Sequence, residues 1–350
     1  MPASKTATLG FGETTVTIGR IGHGLMNMSI RDPSDILPDE TAFAAIKAGI
    51  GALPEGAQMH LNTGEFYGNG FGIANLELVA RFFAKYPEYA PRSFLSVKGG
   101  MLPNSVKADG SPENLRRSAT TTLAPGGKKM DLFQMARVPT NVSFEEAFGT
   151  LVALKTEGYF THIGMSECSA GTLRKAHAIH PVSVVEIEVS AWSYEDETKK
   201  VIAAAQELGI VLVCPIRVSP HPVPLGRGLL SGTIKSLDDI PAGDYRRKLT
   251  RFQEEAFAHN AEIAEAFGAV AVRKGVTASQ LALAWVLCLG PHMVPIHGTS
   301  SATRHLGNIA AADVELTGED LAEIRKVLEK GVKGSRIMDG VPAEKLRLWA

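Results

Sequence analysis

A tyrosine and a lysine stand at the mouths of two successive loops of this chain. Tyr67 lies in Asn62-Thr63-Gly64-Glu65-Phe66-Tyr67-Gly68, and Lys98 in Ser96-Val97-Lys98-Gly99-Gly100. Each follows a short apolar run that reads as a strand, Met59 to Leu61 and Phe94 to Val97. A phenol with a pKa near ~10 is a poor acid at neutral pH. A neighbouring ammonium favours the phenolate and so makes the phenol a readier proton donor. Such a pair can protonate a carbonyl oxygen while a hydride reaches the carbonyl carbon. Singly, each residue also has an ordinary reading, Tyr67 as a half-buried aromatic on a turn and Lys98 as a surface cation.

The elements that must carry this pair alternate in type. Residues Ala7 to Ile21 alternate apolar and polar around Gly10 to Gly12, which predicts a hairpin. Strands are then expected at Ile21 to Gly24, Met59 to Asn62, Phe94 to Lys98, Met130 to Ala136, Phe160 to Ser166, Val182 to Val189, Ile210 to Cys214 and Met293 to Ile296. Helices are expected at Glu40 to Ile50, Leu76 to Phe83, Pro112 to Leu123, Phe144 to Thr156, Ala170 to His180, Glu197 to Leu208, Gln253 to Lys274, Ala278 to Leu287, Thr303 to Ala310 and Glu319 to Lys330. Strands separated by helices pair in parallel with right-handed crossovers, in a closed (β/α)8 barrel or an open doubly wound sheet. An open dinucleotide-binding sheet wants G-x-G-x-x-G after its first strand, and Gly22-His23-Gly24-Leu25-Met26-Asn27 lacks the third glycine. The motif residues follow many different strands, as a barrel's loop face requires. The reading is therefore a single (β/α)8 TIM barrel domain over residues 1–350, with the hairpin closing the end opposite the site and one extra C-terminal helix. Prolines in Pro215 to Pro224 forbid helix or central strand there, leaving a lid or a surface insertion.

Composition narrows the partners. The 350 residues carry a formal net charge of −1, which gives no electrostatic case for nucleic acid or an anionic membrane. No apolar run approaches the roughly 18 residues of a spanning helix, and no apolar signal core follows Met1-Pro2-Ala3-Ser4-Lys5. Cys168, Cys214 and Cys288 have neither disulfide-framework nor metal spacing, and fit a reducing, cytoplasmic setting. Cys168, beside an expected active-site strand, reads as a packed apolar residue or a reactive thiol. The ten histidines are scattered, which speaks against a metal-dependent sugar barrel.

Several short segments, in this order and spacing, resemble the aldo-keto reductases, and most nearly their fungal pyridoxal reductase branch. They are the box from Asn62 to Gly68, Asp131-Leu132-Phe133-Gln134-Met135-Ala136-Arg137-Val138, Gly164-Met165-Ser166-Glu167, Pro224-Leu225-Gly226-Arg227-Gly228-Leu229-Leu230-Ser231-Gly232 and Pro295-Ile296-His297-Gly298-Thr299-Ser300. The resemblance implies NADPH as cofactor and a small-molecule aldehyde as substrate. It places Gly24, Met26, Asn62, Ser166, Glu167, Glu186, Leu225, Gly226, Arg227, Gly228, Gly298, Thr299, Ser300, Arg304 and Asn308 against the cofactor. The residues themselves agree at one point. Small hydroxyl residues and backbone amides at a helix N-terminus make an anion site, and Arg304 one turn in suits a phosphate. Gly307 stands where the family often has a glutamate beside the adenine.

The chain departs from the family pattern elsewhere. Of the family's Asp, Tyr, Lys and His, it keeps Tyr67 and Lys98, with Asn62 in the Asp position and Ala136 in the His position. Asn62 then leaves Lys98 without its usual carboxylate partner, while still able to accept a hydrogen bond from it. Ala136 leaves room for an ortho-substituted ring aldehyde such as pyridoxal. Two groups expected at the nicotinamide carboxamide are acids, Glu167 and Glu186, and an ionised Glu only accepts hydrogen bonds. Glu186 reads either as a carboxamide ligand or as half of an ion pair inside the barrel wall. Cys214-Pro215 stand where an aromatic usually stacks on nicotinamide. Met28, Phe66 and Trp192 read as pocket candidates or as ordinary packing, Arg137 as a residue that faces the substrate or pairs behind the barrel wall, and Arg336 with the tail Lys345 to Ala350 is expected to cross the mouth. Reduction of pyridoxal to pyridoxine is the leading reading. A broad aldehyde or quinone reductase, or an NADPH-binding regulatory subunit of the channel β-subunit type, is the alternative.

Overall fold

Residue parity organises the strands. In a computed structural model that describes residues 5–32, 34–121, 128–216, 234, 236–240, 247, 249–334 and 349–350, eight strands close into a parallel barrel. They are β3 (Gly22–Gly24), β4 (Met59–Gly64), β5 (Ser93–Gly99), β6 (Leu132–Met135), β7 (His162–Ser166), β8 (Val184–Glu186), β9 (Val211–Ile216) and β10 (Met293–Gly298). Helices α1 (Asp39–Gly51), α2 (Ala74–Lys85), α3 (Pro112–Thr121), α4 (Phe144–Thr156), α5 (Ala170–Ile179) and α6 (Asp196–Glu207) each follow one strand. Between β9 and β10 run α7 (Glu254–Arg273) and α8 (Ala278–Leu287), and α9 (Ala302–Ile309) and α10 (Gly318–Leu328) follow β10. This is the (β/α)8 barrel that the alternation of elements predicts.

Successive side chains of a strand point to opposite faces. Met59, Leu61, Leu95, Val97, Phe133, Met135, Val185 and Leu212 belong to the apolar cluster under the helices. Their strand neighbours Phe94, Leu132, Val184, Val211, Val213, Val294 and Ile296 form a second cluster inside the barrel. The same parity, carried to the C-terminal ends of the strands, turns Asn62, Lys98, Gln134, Ser166 and Glu186 inward. Apolar residues, with the buried His60 and His162 packed against Phe94, thus fill the lower barrel, and polar ones its upper end, the end where barrels of this class place their chemistry.

The lower end is shut by a hairpin of β1 (Thr6–Leu9) and β2 (Val16–Gly19), joined across Gly10, whose φ of +95° suits glycine. Ala7, Leu9 and Ile18 pack on the interior cluster. Gly19 N donates to Gln58 O at 2.9 Å, just before β4 begins.

Among the expected boundaries that move, two are instructive. The apolar run Val182 to Val189 is buried nearly throughout, but only its middle residues pair as β8. Strand β9 continues through Pro215 to Ile216, where a proline was expected to end it. Val213 O accepts from Ile187 N at 3.2 Å, so this parity of β9 faces β8. Pro215 has the same parity and lies past the last β8 pair, Glu186 with Val213. Its missing N–H therefore breaks no ladder bond. Residues 217–224 of the expected loop lie outside the described residues.

Candidate active site

Tyr67 and Lys98 meet. Lys98, inward on β5, donates from Nζ to Tyr67 Oη at 3.0 Å. The tyrosine is set by its box. Glu65 N donates to Lys98 O at 2.9 Å, and Tyr67 N to Gly64 O at 3.2 Å. A Cβ at position 64 would come within 3.2 Å of the Tyr67 ring, so glycine lets the ring lie over the strand end. Ser29 Oγ donates to Tyr67 O at 2.5 Å, and Asn75 Nδ2 donates to Ser29 Oγ at 2.7 Å. Thr63 Oγ donates to Asn75 Oδ1 at 2.6 Å. Glu65 points away from the cavity, accepting from Met101 N at 2.9 Å and pairing with Arg117 at 3.2 Å, which ties the next loop to this one.

Lys98 does have a carboxylate partner, contrary to the expectation drawn from Asn62. It is paired with Glu186, and their side chains are 9 % and 1 % exposed. Burial pushes the Lys98 pKa down, but the Glu186 charge and the Tyr67 oxygen outweigh this, and the net direction is up. Asn62 bridges the pair, with Nδ2 donating to Glu186 Oε2 at 2.8 Å and Oδ1 accepting from Lys98 Nζ at 3.3 Å. Gln134, which the sequence reading passed over, donates from Nε2 to the same Oε2 at 2.7 Å.

A cavity opens above this cluster. Tyr67, Lys98, Asn62 and Glu186 line it together with Gly24, Met26, Asn27, Phe66, Arg137, Ser166, Glu167, Pro215, Ile296 and Gly298. Glu167 has a φ of +51°, a left-handed conformation that costs a non-glycine residue about 1–3 kcal/mol. Its N donates to Glu186 O at 2.9 Å, which holds the turn and keeps both acids at the cavity. Phe66 meets the Tyr67 ring edge-on at 5.0 Å between centroids. Pro215 presents an apolar face where the usual aromatic is absent, and Cys214 turns outward into the helix-side cluster. Met28, Ala136 and Trp192 are buried and do not border the cavity. Asn27 does border it, with Oδ1 buried and without a hydrogen-bond partner. Leu225, Gly226, Arg227, Gly228 and Arg336 lie outside the described residues. Of the tail, Ala350 is placed near the upper end, its carbonyl accepting from Ser169 N at 3.1 Å just past β7.

The loop after β10 has the donors of an anion site. Ser301 caps α9, accepting from Arg304 N at 3.3 Å. Thr299 Oγ accepts from Ser301 N at 3.1 Å and from Arg304 Nε at 3.4 Å. Ser300 stands between them, partly exposed, and Asn308 lies one turn beyond Arg304 on the same helix. Beneath lies a stack of buried imidazoles. His23 Nε2 donates to Thr299 O at 2.8 Å, His23 stacks on His305 at 3.9 Å, and His297 and His305 share a hydrogen bond of 2.7 Å. Burial holds the His23 pKa at about 4, partly offset by the Thr299 carbonyl, so the stack is neutral near pH 7. Among the described residues no group of His, Cys, Asp or Glu could hold a metal ion.

Residues 20–329 match the sequence pattern of the Aldo/keto reductase family. The chain belongs to the aldo/keto reductase family. It is an oxidoreductase that uses a nicotinamide cofactor. A protein of Schizosaccharomyces pombe named "Probable pyridoxal reductase 2" is 33 % identical over 89 % of this chain and 92 % of its own. From the same organism, "Aldo-keto reductase yakc [NADP(+)]" is 35 % identical over 77 % of this chain and 79 % of its own. Aldo-keto reductase str7 of Strobilurus tenacellus is 34 % identical over 69 % of this chain and 71 % of its own. In fold, a glycerol dehydrogenase from Gluconobacter oxydans superposes with a TM-score of 0.78 at 20 % identity, covering 97 % of this chain and 99 % of that one. No helix among the described residues is long and apolar enough to cross a membrane.

Proposed function

We propose that the whole chain acts as one NADPH-dependent reductase domain converting an aldehyde to an alcohol, with pyridoxal, giving pyridoxine, as the substrate. The observation that carries the chemistry is the Tyr67 Oη to Lys98 Nζ contact of 3.0 Å at the floor of an open cavity. The cofactor, when bound, supplies a hydride to the carbonyl carbon. Tyr67 gives its phenolic proton to the carbonyl oxygen, and the Lys98 ammonium stabilises the phenolate left behind. Ser166 and Glu167 line the cavity; with the nicotinamide carboxamide beside them, Glu167 would accept from its NH2 and Ser166 would donate to its carbonyl.

The residues after β10 fit a phosphate-bearing cofactor, because they combine a capped helix N-terminus with an arginine. We assign the 2′-phosphate of NADPH to Thr299, Ser300 and Arg304. Arg304→Ala is then expected to weaken NADPH binding by about 10- to 100-fold, the loss of a hydrogen bond to a charged group, and to leave NADH binding unchanged. Fluorescence titration with both nucleotides checks this, and parallel losses would remove the phosphate assignment.

For the substrate, Arg137 replaces Ala136 as the residue of interest. It borders the cavity beside Phe66 and Tyr67 while its Nη1 donates to Ala136 O at 2.6 Å. Pyridoxal carries a phenolic hydroxyl beside its aldehyde, and a fixed guanidinium suits that oxygen. Phe66 offers a ring face. The test follows NADPH oxidation with pyridoxal and with a plain aromatic aldehyde. Arg137→Met is expected to lower kcat/KM about tenfold for pyridoxal and little for the plain aldehyde. Equal turnover of both substrates by the parent enzyme would favour a broad aldehyde reductase. Bound NADPH with no turnover on any aldehyde would favour the regulatory-subunit reading. Three free cysteines, two of them buried, fit a cytoplasmic location.

A further inference from the structure

Strand β4 brings an amide and strand β8 a carboxylate to one ammonium, where each touches the other as well as Lys98. Glu186 Oε1 accepts from Lys98, while Oε2 accepts from both Asn62 and Gln134, at 2.8 and 2.7 Å. The two lone pairs of Oε2 are thereby used, and one remains on Oε1. The acid is held by three donors on three other points of the barrel and is almost wholly buried, so it has a single available position.

We propose that Glu186 is a positioning residue of the reaction centre: it is the counter-ion that keeps Lys98 charged and aimed at Tyr67, so that the carboxylate of this centre belongs to β8, and Asn62 must be an amide because Glu186 is an acid. The inference rests on the reading of Tyr67 as proton donor. A buried ammonium without a counter-ion is costly, and an asparagine can orient it but cannot neutralise it. Asn62 does orient it, presenting oxygen to the ammonium and nitrogen to the carboxylate. An acid at position 62 would place a second carboxylate in the 2.8 Å contact now made by Nδ2, where two like charges cannot both remain ionised. An amide at position 186 would leave Lys98 with no acid. The two positions therefore tolerate one carboxylate between them, and exchange should be tolerated where either single change is not.

During turnover the bonds are accounted for without Glu186 giving up or taking a proton. The Tyr67 O–H bond breaks as a new O–H bond forms on the substrate oxygen, which takes up the electron pair of the C=O π bond, while the carbonyl carbon gains a C–H bond to the hydride that the nicotinamide C4–H bond would give up. Glu186 keeps the ammonium protonated beside the phenolate until Tyr67 regains a proton from solvent.

The experiment compares Asn62→Asp, Glu186→Gln and the double exchange. Glu186→Gln is expected to lower kcat roughly 100-fold and to bring forward the alkaline fall of its pH profile. Asn62→Asp is expected to lower kcat roughly 10-fold. The double variant should return to within about 10-fold of the parent and recover the pH profile. NADPH affinity, by fluorescence titration, should stay within about 3-fold throughout, since the exchange leaves Ser166 and Arg304 untouched. The unfolding midpoint of the cofactor-free protein should show the same pattern, low in both single variants and restored in the double. Losses that add in the double variant, in midpoint and in kcat, would overturn the pairing. A Glu186→Gln variant that keeps its kcat and loses NADPH affinity would make Glu186 a cofactor ligand instead. Were the parent to reduce no aldehyde, the functional reading would fail on its own, and the pattern of midpoints would still decide the pairing.

Discussion

Tyr67→Phe is expected to lower kcat/KM for aldehyde reduction by about a thousandfold, within the range that a positioned general acid supplies. The ring should stay in place, because its setting does not depend on the hydroxyl. It lies over Gly64, edge-on to Phe66, with its backbone carbonyl bound by Ser29. The variant also leaves the charges balanced, since Lys98 remains paired with Glu186. One charge-assisted hydrogen bond of 3.0 Å disappears, which costs about 1.5–3 kcal/mol of stability. NADPH binding should be unchanged within about 2-fold, because Tyr67 is not among the residues assigned to its phosphate. Stopped or steady-state NADPH oxidation, together with a fluorescence titration of each protein, separates chemistry from binding. A variant retaining more than about a tenth of the parent rate would transfer the proton to another donor.

The barrel could be read from the chain because its signals are local. Alternating parity in Phe94 to Lys98 and the long periodic run ending at Lys274 each lie within one element. The candidate site was legible where one segment supplies its local structure whole, as in the capped helix start from Gly298 to Arg304. It was not legible where it depends on contacts across the barrel. Glu186 is 88 residues from Lys98 and 124 from Asn62, and nothing in the local sequence around any of them announces the contact. A signal did exist in the two departures taken together. An acid is missing at position 62 and an extra one stands at position 186, opposite changes that restore one charge. Gln134 carries the inward parity of β6 and stood within a quoted motif, yet parity alone does not say which neighbour it meets. Asn27 was hidden between Met26 and Met28, and a short helical turn at 26–28 brings it to the cavity. Trp192 shows why an aromatic near the loop face has two readings in sequence, pocket or packing: it is buried and off the cavity.

Acid should destabilise this protein well before its carboxylates are titrated. Burial holds the pKa of His23, His60 and His162 at about 4, against an ordinary 6.5. For His60 the Glu186 charge raises the value and the Lys98 charge lowers it, but burial dominates. His297 and His305, stacked with His23, are held well below the ordinary value, again chiefly by burial. The sign follows from proton binding. Between about pH 6.5 and 4 the unfolded chain takes up protons on these imidazoles and the folded chain does not, so stability falls as pH falls through that window. It is fully present above about pH 6.5. At pH 5 each histidine held at about 4 costs roughly 2 kcal/mol, so the three together cost on the order of 6 kcal/mol. That is comparable to the whole stability of many domains, about 5–15 kcal/mol. Asp131 works in the opposite direction, its carboxyl raised by burial and partly restrained by Lys128, but it is one group. The exposed pairs such as Arg81 with Asp39 add little, since solvent screens them. Urea unfolding at pH 7 and pH 5 reads the difference, and a change under about 1 kcal/mol would mean that the imidazoles take up protons while the fold stays closed. His162→Gln gives the control. Its ring nitrogen Nδ1 meets Ser183 Oγ at 3.0 Å below the site, far from the cofactor loop. The substitution is expected to cost stability at pH 7 and to flatten the acid dependence by one histidine's share, while His23, which holds Thr299, continues to tie the acid limb to the cofactor loop.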